Sequence, residues 1–348
     1  MPKSIPFVLL IGLFSLEIRA QIGGRRSFES LNVPQSAAQA SLGGVNVSNS
    51  LIDPALILSN PALLREGFEN RLTLTYSSYV AGIDYTSFVY PFQFKDVGLF
   101  SVGVQYFNFG DFEGFDDTGA PTNDFQASDF VISVSHSRSA GNFRYGASIK
   151  LARESIDNFG ATAFLFDLGG VFIHPEKEFN VGLAIKNTGF LLSDFSETSD
   201  SSVPFDVQIG TTFKPKYMPV RFSLTTYNLW TGDVTFFDPE ISEDSPSTID
   251  RVFRRVAIGT ELLLSKGVNV RVGYNHLVRQ ELRLEEASGG AGFSFGFLVK
   301  IKAFEISYTR SLFHVAGGNN YFTLTTDFKR ILKKKQSKTG SLLESNGK

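Results

Sequence analysis

The chain has 348 residues, and its 33 basic and 35 acidic side chains give a formal net charge of -2. This balance argues against a nucleic-acid-binding protein, which normally has a basic excess, and an apolar content of 42% argues against a disordered chain. The absence of cysteine excludes disulfides, thiolate metal sites, a cysteine nucleophile and the lipid-anchor cysteine of a bacterial lipoprotein.

Residues 1–20 have the pattern of a secretory signal peptide. Lys3 supplies the positive start, Pro6–Phe14 forms a short apolar core, and Ala20 is a small residue before a cleavage point that leaves Gln21 first. Further along, no run approaches the roughly 18 consecutive apolar residues that a membrane helix needs. We therefore expect an exported protein, either a water-soluble β-protein or an outer-membrane β-barrel.

Residues 21–71 show no regular alternation of apolar and polar side chains. Asp53 and Asn60 are each followed by proline, which is typical of an N-cap residue before a helix that begins with proline. Two very short helices are therefore predicted. Because the segment is apolar but too short for a core of its own, we expect it to plug the barrel or to cover its periplasmic mouth. A flexible periplasmic lead is the alternative.

From residue 72 onward, apolar and polar residues alternate, which is the signal of a strand with two different faces. Val268–Asn275 and Phe143–Leu151 are clear examples. The polar face holds mainly Ser, Thr, Asn, Gln and Gly, with isolated charges such as Lys150, Arg271 and Glu305. A soluble sandwich would expose mostly Lys and Glu on that face. The pattern instead indicates a wet, enclosed lumen and an apolar face against lipid.

The alternation predicts an all-β fold, a transmembrane antiparallel β-barrel of about 14 strands over residues 72–328. Closure is required because an unpaired backbone group in hydrocarbon costs several kcal/mol. The predicted strands are Leu72–Tyr79, Gly82–Tyr90, Gly98–Phe107, Ser128–Ser139, Phe143–Glu154, Ala161–His174, Glu178–Asn187, Asp206–Lys214, Met218–Asn228, Arg254–Leu264, Val268–His276, Gly290–Ile301, Phe304–Leu312 and Asn320–Phe328.

The links between the predicted strands alternate in length and in charge. Tight links such as Gly141–Asn142 follow even-numbered strands and carry several lysines, whereas the long links follow odd-numbered strands. The long links are Asn108–Ala127, Thr188–Pro204, Leu229–Phe253 and Leu277–Gly289. The first three hold 14 acidic residues and one base, and the tail 329–348 has seven bases and one acid. Since outer-membrane barrels have short periplasmic turns and long outer loops, both ends of the barrel chain are predicted to be periplasmic.

The start of the chain resembles a known family. The runs Leu31–Ala37, Ala40–Gly44 and Ser59–Leu64 resemble the start of the PorQ family, outer-membrane components of the type IX secretion system in Bacteroidetes. The related PorV and FadL proteins share the broader architecture. In that superfamily an Asn-Pro-Ala motif marks the N-terminal plug of a 14-stranded barrel. The residues that match the plug motif here are Leu42, Gly43, Gly44, Asn60, Pro61 and Ala62.

The resemblance implies a protein without enzymatic activity or cofactor. Its implied role is to hold a PorZ-like surface protein at the outer membrane beside the PorU/PorV attachment complex. Its implied surroundings are outer-membrane lipid and protein, without nucleic acid. A FadL-like transporter of hydrophobic small molecules is the alternative, although a small, polar lumen face counts against it.

Other candidate chemistry in the sequence is weak. The four histidines are far apart and lack metal-ligand spacing, so structural or rim positions are expected for His136, His174, His276 and His314. Five acidic residues between Gly110 and Asp124 are hard oxygen ligands of the kind Ca²⁺ prefers. Their spacing fits no EF-hand, and a solvated loop is the more common explanation.

Overall fold

The computed structural model describes residues 27–49, 53–232, 234–235, 246–282, 289–314 and 317–328. The predicted signal peptide and the basic tail 329–348 lie outside the described residues. Within the described part of the chain, no helix is both long enough and apolar enough to cross a membrane.

Fourteen antiparallel strands form one closed barrel in which each strand pairs with its neighbours in sequence. The first and last strands close it through eight residue pairs, from Arg71 opposite Asp327 to Ser78 opposite Asn320. This confirms the predicted fold. The strands are β1 Arg71–Ser78, β2 Asp84–Phe94, β3 Gly98–Phe112, β4 Phe125–Ala140, β5 Phe143–Ile156, β6 Phe159–Ile173, β7 Glu178–Ser193, β8 Asp206–Lys214, β9 Val220–Thr226, β10 Val256–Ser265, β11 Val268–Asn275, β12 Phe293–Ile301, β13 Phe304–His314 and β14 Gly317–Asp327.

The two faces of the strands lie as the alternation predicts. On β11, Val270 and Val272 are 38% and 40% exposed on the outer surface, whereas Arg271 between them is 4% exposed. On β1, Leu74 points outward and its neighbours Thr73 and Thr75 are buried. The outer surface is therefore a belt of large apolar side chains, as a lipid-facing wall requires, and the inner surface is polar.

The wall of the barrel is uneven in height. We call the end with the links after even-numbered strands the turn end, and the opposite end the loop end. Strands β3 to β7 have 14 to 16 residues, whereas β8 to β12 have 7 to 10. About 9 to 11 residues are enough to cross the hydrocarbon core. The five long strands therefore form a high wall that extends beyond it, beside the low rim of β8 to β12.

Two segments predicted as long loops are partly strand in the high wall, so those predictions were wrong in their bounds. Parts of Asn108–Ala127 and Thr188–Pro204 belong to strands, because β3 and β4 pair as far as Phe112 opposite Phe125 and β7 continues to Ser193. The link between β5 and β6 is also shorter than predicted, a tight turn at Asp157–Asn158. Cross-strand pairing continues through polar sequence there, where the alternation of apolar residues has already stopped.

The low rim carries two helices inside segments that were predicted as loops. Helix α2, Thr248–Phe253, precedes β10, and α3, His276–Leu282, follows β11. Ser247 caps α2 by accepting a hydrogen bond from the Asp250 amide at 3.2 Å. The sequence signal of α2 is this Ser-x-x-Asp capping pattern, which is too local to stand out beside the long strands.

Residues 27–49 and 53–70 form the lumen segment, which packs against the inner side of the barrel wall. It contains α1, Ala37–Ala40, and 3-10 helices at Glu29–Asn32, Pro54–Leu58 and Pro61–Leu63. The two predicted proline-headed helices are confirmed. Their N-caps are also as predicted, since the carboxyl of Asp53 accepts from the Ala55 amide at 3.0 Å and the Asn60 side chain accepts from the Ala62 amide at 2.9 Å.

Candidate functional site

The lumen segment begins at the loop end. The Ser27 amide donates to the carbonyl of Ser202 at 3.1 Å, and the Phe28 amide donates to Glu154 Oε2 at 2.6 Å. Phe28 and Leu31 are almost completely buried against the inner wall of β4 to β6. The loop between β7 and β8 folds over this cluster, so the first described residues are enclosed from both sides.

Further along, polar contacts attach the lumen segment to strands around the barrel. Gln35 accepts a hydrogen bond from the Tyr85 hydroxyl at 2.7 Å and another from Gln105. The Ala37 amide donates to Thr323 Oγ1 at 2.9 Å. These bonds replace the water that the polar inner wall would otherwise hold. The segment is therefore fixed to the wall on several sides.

The Leu42-Gly43-Gly44 motif forms the turn that ends α1. Gly43 and Gly44 have φ of 90° and 85°, a left-handed conformation that glycine adopts without the strain that a Cβ would cause. The carbonyl of Gly43 accepts from Asn275 Nδ2 at 2.9 Å, which binds the turn to the end of β11. The turn thus has both a backbone and a wall contact.

The Asn60-Pro61-Ala62 motif is fully buried on the other side of the lumen. Besides capping its helix, Asn60 donates through Nδ2 to the carbonyls of Val47 and Leu183, at 2.7 and 3.3 Å. It therefore joins two parts of the lumen segment and strand β7. All six predicted motif residues lie in this buried segment, but the two motifs contact different strands and do not form one cluster.

Seven glycines on the inner wall make this close packing possible. At each one, an added Cβ would lie less than 3.0 Å from an atom of the lumen segment. Real Cβ atoms essentially never make such contacts, so a side chain would force the segment to move wherever an atom this close belongs to its backbone, as at Gly146, Gly169, Gly182 and Gly273. These glycines come from seven strands: Gly103, Gly146, Gly169, Gly182, Gly259, Gly273 and Gly296.

The charges that look isolated in the sequence are paired inside the lumen. Lys150 Nζ lies 2.5 Å from Asp167, and both side chains are almost completely buried. Arg271 donates to Glu261 at 2.8 Å, and Glu305 pairs with Lys300 and Arg71. Pairing offsets the large cost of removing a charge from water. The sequence pattern does not show these pairs because the partners are on different strands.

The Lys150–Asp167 pair lies where the wall steps down from β7 to β8. Asp167 also accepts from the Asn187 amide at 2.8 Å, and Asn187 in turn accepts from Lys150 at 2.9 Å. The register between β6 and β7 shifts at Asp167, and pairing of β7 with β8 ends at Lys186. The buried ion pair therefore supports the point where the sheet changes height.

A cavity of about 340 Å³ lies at the low rim, between the lumen segment and α3. Its lining is mostly apolar, with Pro34, Leu277 and Phe313 among the contributing residues. Two buried acceptor oxygens in the lining, Asp206 Oδ1 and Gln208 Oε1, have no hydrogen-bond partner among the residues that the structure describes. A cavity of this kind fits a small apolar molecule with a hydrogen-bond donor.

The acidic loop between Gly110 and Asp124 is stabilised by hydrogen bonds between its own residues. Asp116 Oδ1 accepts from Thr118 and from the Ala120 amide, the latter at 2.9 Å. The Thr118 hydroxyl and these amides lower the pKa of Asp116, which is fully exposed. Among the described residues, no group of three His, Asp or Glu side chains surrounds a common metal position.

The histidines lie apart from one another in the described part of the chain. His136 is on β4, where Nδ1 lies 2.9 Å from the Leu99 carbonyl, and His174 accepts amide hydrogen bonds in a turn. His276 starts α3, 2.9 Å from Asp250. The side chain of His314 is outside the described set. The Asp250–His276 contact joins α2 to α3, and no local sequence pattern predicts it.

No model of a known protein family matches the sequence, and no curated protein matches it either. The structure is similar to that of a TodX monoaromatic hydrocarbon channel with the deltaS2S3 mutation, with a TM-score of 0.52 and 12% identity over 84% of this chain and 98% of that chain. The TodX deltaS2 mutant gives a TM-score of 0.50 and 14% identity, over 84% of this chain and 97% of that chain.

A FadL homologue from Pseudomonas aeruginosa gives a TM-score of 0.44 and 13% identity, over 83% of this chain and 98% of that chain. At such identities the two TodX structures show the fold alone. The chain is a closed 14-stranded antiparallel β-barrel and shares this fold with the two TodX structures.

Proposed function

We propose that this chain is an integral outer-membrane β-barrel of the type IX protein secretion system, which anchors a PorZ-like surface protein beside the PorU/PorV attachment complex. The proposed mechanism is placement. The apolar belt fixes the barrel in lipid, and its loop end holds the partner outside the cell. The type IX assignment rests on the resemblance of the lumen-segment motifs to the PorQ family. The placement mechanism rests on the apolar belt and on the packing of the lumen.

The observation that carries this proposal is the filled lumen. The lumen segment is buried, is bonded to strands around the barrel, and packs without a gap against seven wall glycines. Passage of a solute along the barrel axis would require the lumen segment to move and to lose contacts of this kind. A rigid, sealed barrel suits anchoring better than conduction. In this proposal residues 21–71 form the plug, and the six motif residues hold it in place.

The distribution of charge supports the orientation. The loop-end segments 113–124 and 194–205 carry seven acidic residues and no base, whereas lysines occupy the links at 177, 216, 266 and 302 on the turn end. We assign the loop end to the cell exterior and the turn end to the periplasm. Both ends of the barrel chain, at Arg71 and Asp327, are then periplasmic. The high wall and the low rim give the exterior a stepped surface.

We expect replacement of Leu229–Phe253 by a short glycine-serine linker to release the surface partner while the barrel still inserts. The segment includes α2, whose Ile249, Val252 and Phe253 are exposed apolar side chains. The barrel strands on either side keep their own pairing, from Val256 opposite Thr226 onward. The measurement is surface retention of the partner, read by mass spectrometry of affinity pull-downs from detergent-solubilised outer membranes.

A matched control replaces the acidic loop 113–124 with a linker, which changes the high wall instead of the low rim. Equal partner retention in the wild-type chain and in the Leu229–Phe253 variant would refute the assignment of the partner site to this loop. Loss of the partner in the control alone would move the site to the high wall.

A second candidate function is the uptake of a hydrophobic small molecule. The cavity at the low rim favours it, because a mostly apolar chamber with free acceptors at Asp206 and Gln208 suits an apolar body with a donor group. The similar TodX structures are described as monoaromatic hydrocarbon channels. In this case the lumen segment would have to move to complete a path.

If the cavity is a binding site, 4-butylphenol should bind more tightly than 4-butylbenzoate, since the free acceptors oppose a carboxylate. Filling the cavity with Ser311→Phe should weaken binding by at least about tenfold. Isothermal titration on the purified barrel measures both. Equal, weak binding of the two probes to the wild type and to Ser311→Phe would exclude this second function.

A further inference from the structure

Two carboxylates face each other on the inner side of the high wall, near its loop end. Asp129 on β4 and Glu154 on β5 are direct cross-strand partners. Residues opposite each other in an antiparallel pair have Cβ atoms about 4.5–5.5 Å apart, so like charges there repel. Asp129 is buried, with 2% exposure, and Glu154 is partly buried. Such a pair is unfavourable unless something lies between the two groups.

The hydrogen bonds of this carboxylate pair do not involve all of its oxygen atoms. Glu154 accepts the Phe28 amide at Oε2. The Ser30 hydroxyl contacts the Asp129 carboxyl. Both Ser30 Oγ and Asp129 Oδ1 are buried, and among the described residues neither atom makes a hydrogen bond of regular geometry. Within the described residues, neither carboxylate forms an ion pair with a lysine or arginine. This contrasts with Asp167 on the next strand, which pairs with Lys150.

The pair also lies on a cavity that can supply water. A cavity of about 240 Å³ is lined by Asp129, Glu154, Ser155 and neighbouring apolar side chains. This space is large enough for several water molecules. Two carboxylates, one hydroxyl and ordered water are hard oxygen ligands, the set that Ca²⁺ and related divalent cations prefer.

We propose that Asp129, Glu154 and Ser30 bind one divalent cation of the calcium type at the loop end of the barrel. The cation relieves the repulsion between the two carboxylates and uses the free oxygens of Asp129 and Ser30. With only two carboxylates and with water completing the shell, the site has the low affinity of extracellular calcium modules, with a Kd on the order of 10⁻⁴ to 10⁻³ M.

The site lies between the start of the lumen segment and the barrel wall, so a bound cation would affect how the two are held together. Ser30 and Phe28 belong to the start of the lumen segment, whereas Asp129 and Glu154 belong to the wall. A cation shared by the two parts would fasten the start of the segment to β4 and β5. Removing it should loosen residues 27–32 without opening the barrel sheet. This inference does not depend on the function proposed above.

The test uses the full-length barrel purified in detergent and freed of metal with EDTA. Titration with CaCl₂ is expected to show one site in the wild type, and Asp129→Asn/Glu154→Gln should weaken binding by at least about tenfold. Asp116→Asn/Asp117→Asn is the matched control, because it removes two exposed loop-end carboxylates and should bind Ca²⁺ as the wild type does. Limited proteolysis, read at residues 27–32, should show Ca²⁺-dependent protection.

Ser30→Ala keeps both charges and serves as a second variant, with weaker binding expected if the hydroxyl is a ligand. The proposal is overturned if the wild type shows no Ca²⁺ binding, or if the Asp129→Asn/Glu154→Gln variant binds as tightly as the wild type. It is also overturned if residues 27–32 of the wild type are protected from protease to the same extent with and without Ca²⁺. That result would mean that no cation joins the start of the lumen segment to the wall.

Discussion

Replacement of Gly169 by valine is expected to displace the lumen segment and to destabilise the barrel by about 3 kcal/mol or more. Gly169 faces inward on β6, and a Cβ there would overlap Asn60 and the Ala62 amide. Asn60 cannot yield easily because its amide group bonds the carbonyls of Val47 and Leu183. The valine side chain would therefore push out the Asn60-Pro61-Ala62 helix and leave several buried polar groups unpaired.

Gly170→Val is the matched control for Gly169→Val. Gly170 is the next residue on the same strand, faces outward, and has no atom within 4 Å of an added Cβ. A difference between the two variants would therefore report the contact with the lumen segment and not strand propensity. Unfolding in guanidinium, followed by the fluorescence of the single tryptophan, Trp230, measures stability, and ion conductance in planar bilayers measures leakage.

The expected pattern is a destabilised, leaky Gly169→Val barrel and a tight, stable Gly170→Val barrel. If the two variants unfold at the same guanidinium concentration and neither leaks, the lumen segment is not held against the wall at this position. The sealed-barrel argument for placement would then fail with it.

Replacement of Asp167 by alanine is expected to cost about 3–5 kcal/mol of stability. The change leaves Lys150 with a buried, uncompensated charge, and buried Lys186 lies close by. Asp167 also accepts the Asn187 amide at the step between β7 and β8, so that bond is lost as well. The loop between β7 and β8, which Asn187 holds through the Pro204 carbonyl, should become more sensitive to protease.

Two controls separate the buried charge from other effects of the Asp167 change. The double variant Lys150→Met/Asp167→Leu removes both charges and should recover much of the loss, because an apolar pair of similar size is often neutral or stabilising. Glu178→Ala breaks a cross-strand pair with Lys214 at the turn end, where Glu178 is 57% exposed, and should cost less than about 1 kcal/mol.

Guanidinium unfolding midpoints compare all four proteins under one condition. A loss in Asp167→Ala no larger than that in Glu178→Ala would contradict the argument, since it would mean that Lys150 and Lys186 reach water without their partner. A double variant as unstable as the single variant would show that packing, and not charge, dominates at the step.

Most of the barrel follows from local sequence. The period-two pattern around Val270 and Leu74 predicts both the strand and the side that faces outward, because successive side chains of a strand point to opposite faces whatever its partners are. The caps at Asp53 and Asn60 are equally local, since a side chain and an amide two residues away form them.

The high wall, the low-rim helices and the ion pairs could not be predicted from the sequence, because they depend on the tertiary structure. Asp157–Asn158 is a tight turn only because β5 and β6 pair to their ends. Lys150 has no acidic partner that the sequence pattern indicates, and its ion pair with Asp167 forms across strands β5 and β6. The cross-strand position of Glu154 and Asp129 likewise depends on register, which an isolated strand does not define.

The sequence by itself therefore determined which segments are strands and which side of each strand is apolar, because the alternation of side chains is a property of each strand alone. Closure was a prediction from the cost of unpaired strand edges in lipid, and the pairing of β1 with β14 confirms it. Only the tertiary structure decided how the lumen is filled. The seven wall glycines have no pattern in the sequence, and each one matters only because closure brings it against a residue of the lumen segment. Contacts between residues more than a hundred positions apart are set by strand order and register, and neither is contained in a local pattern.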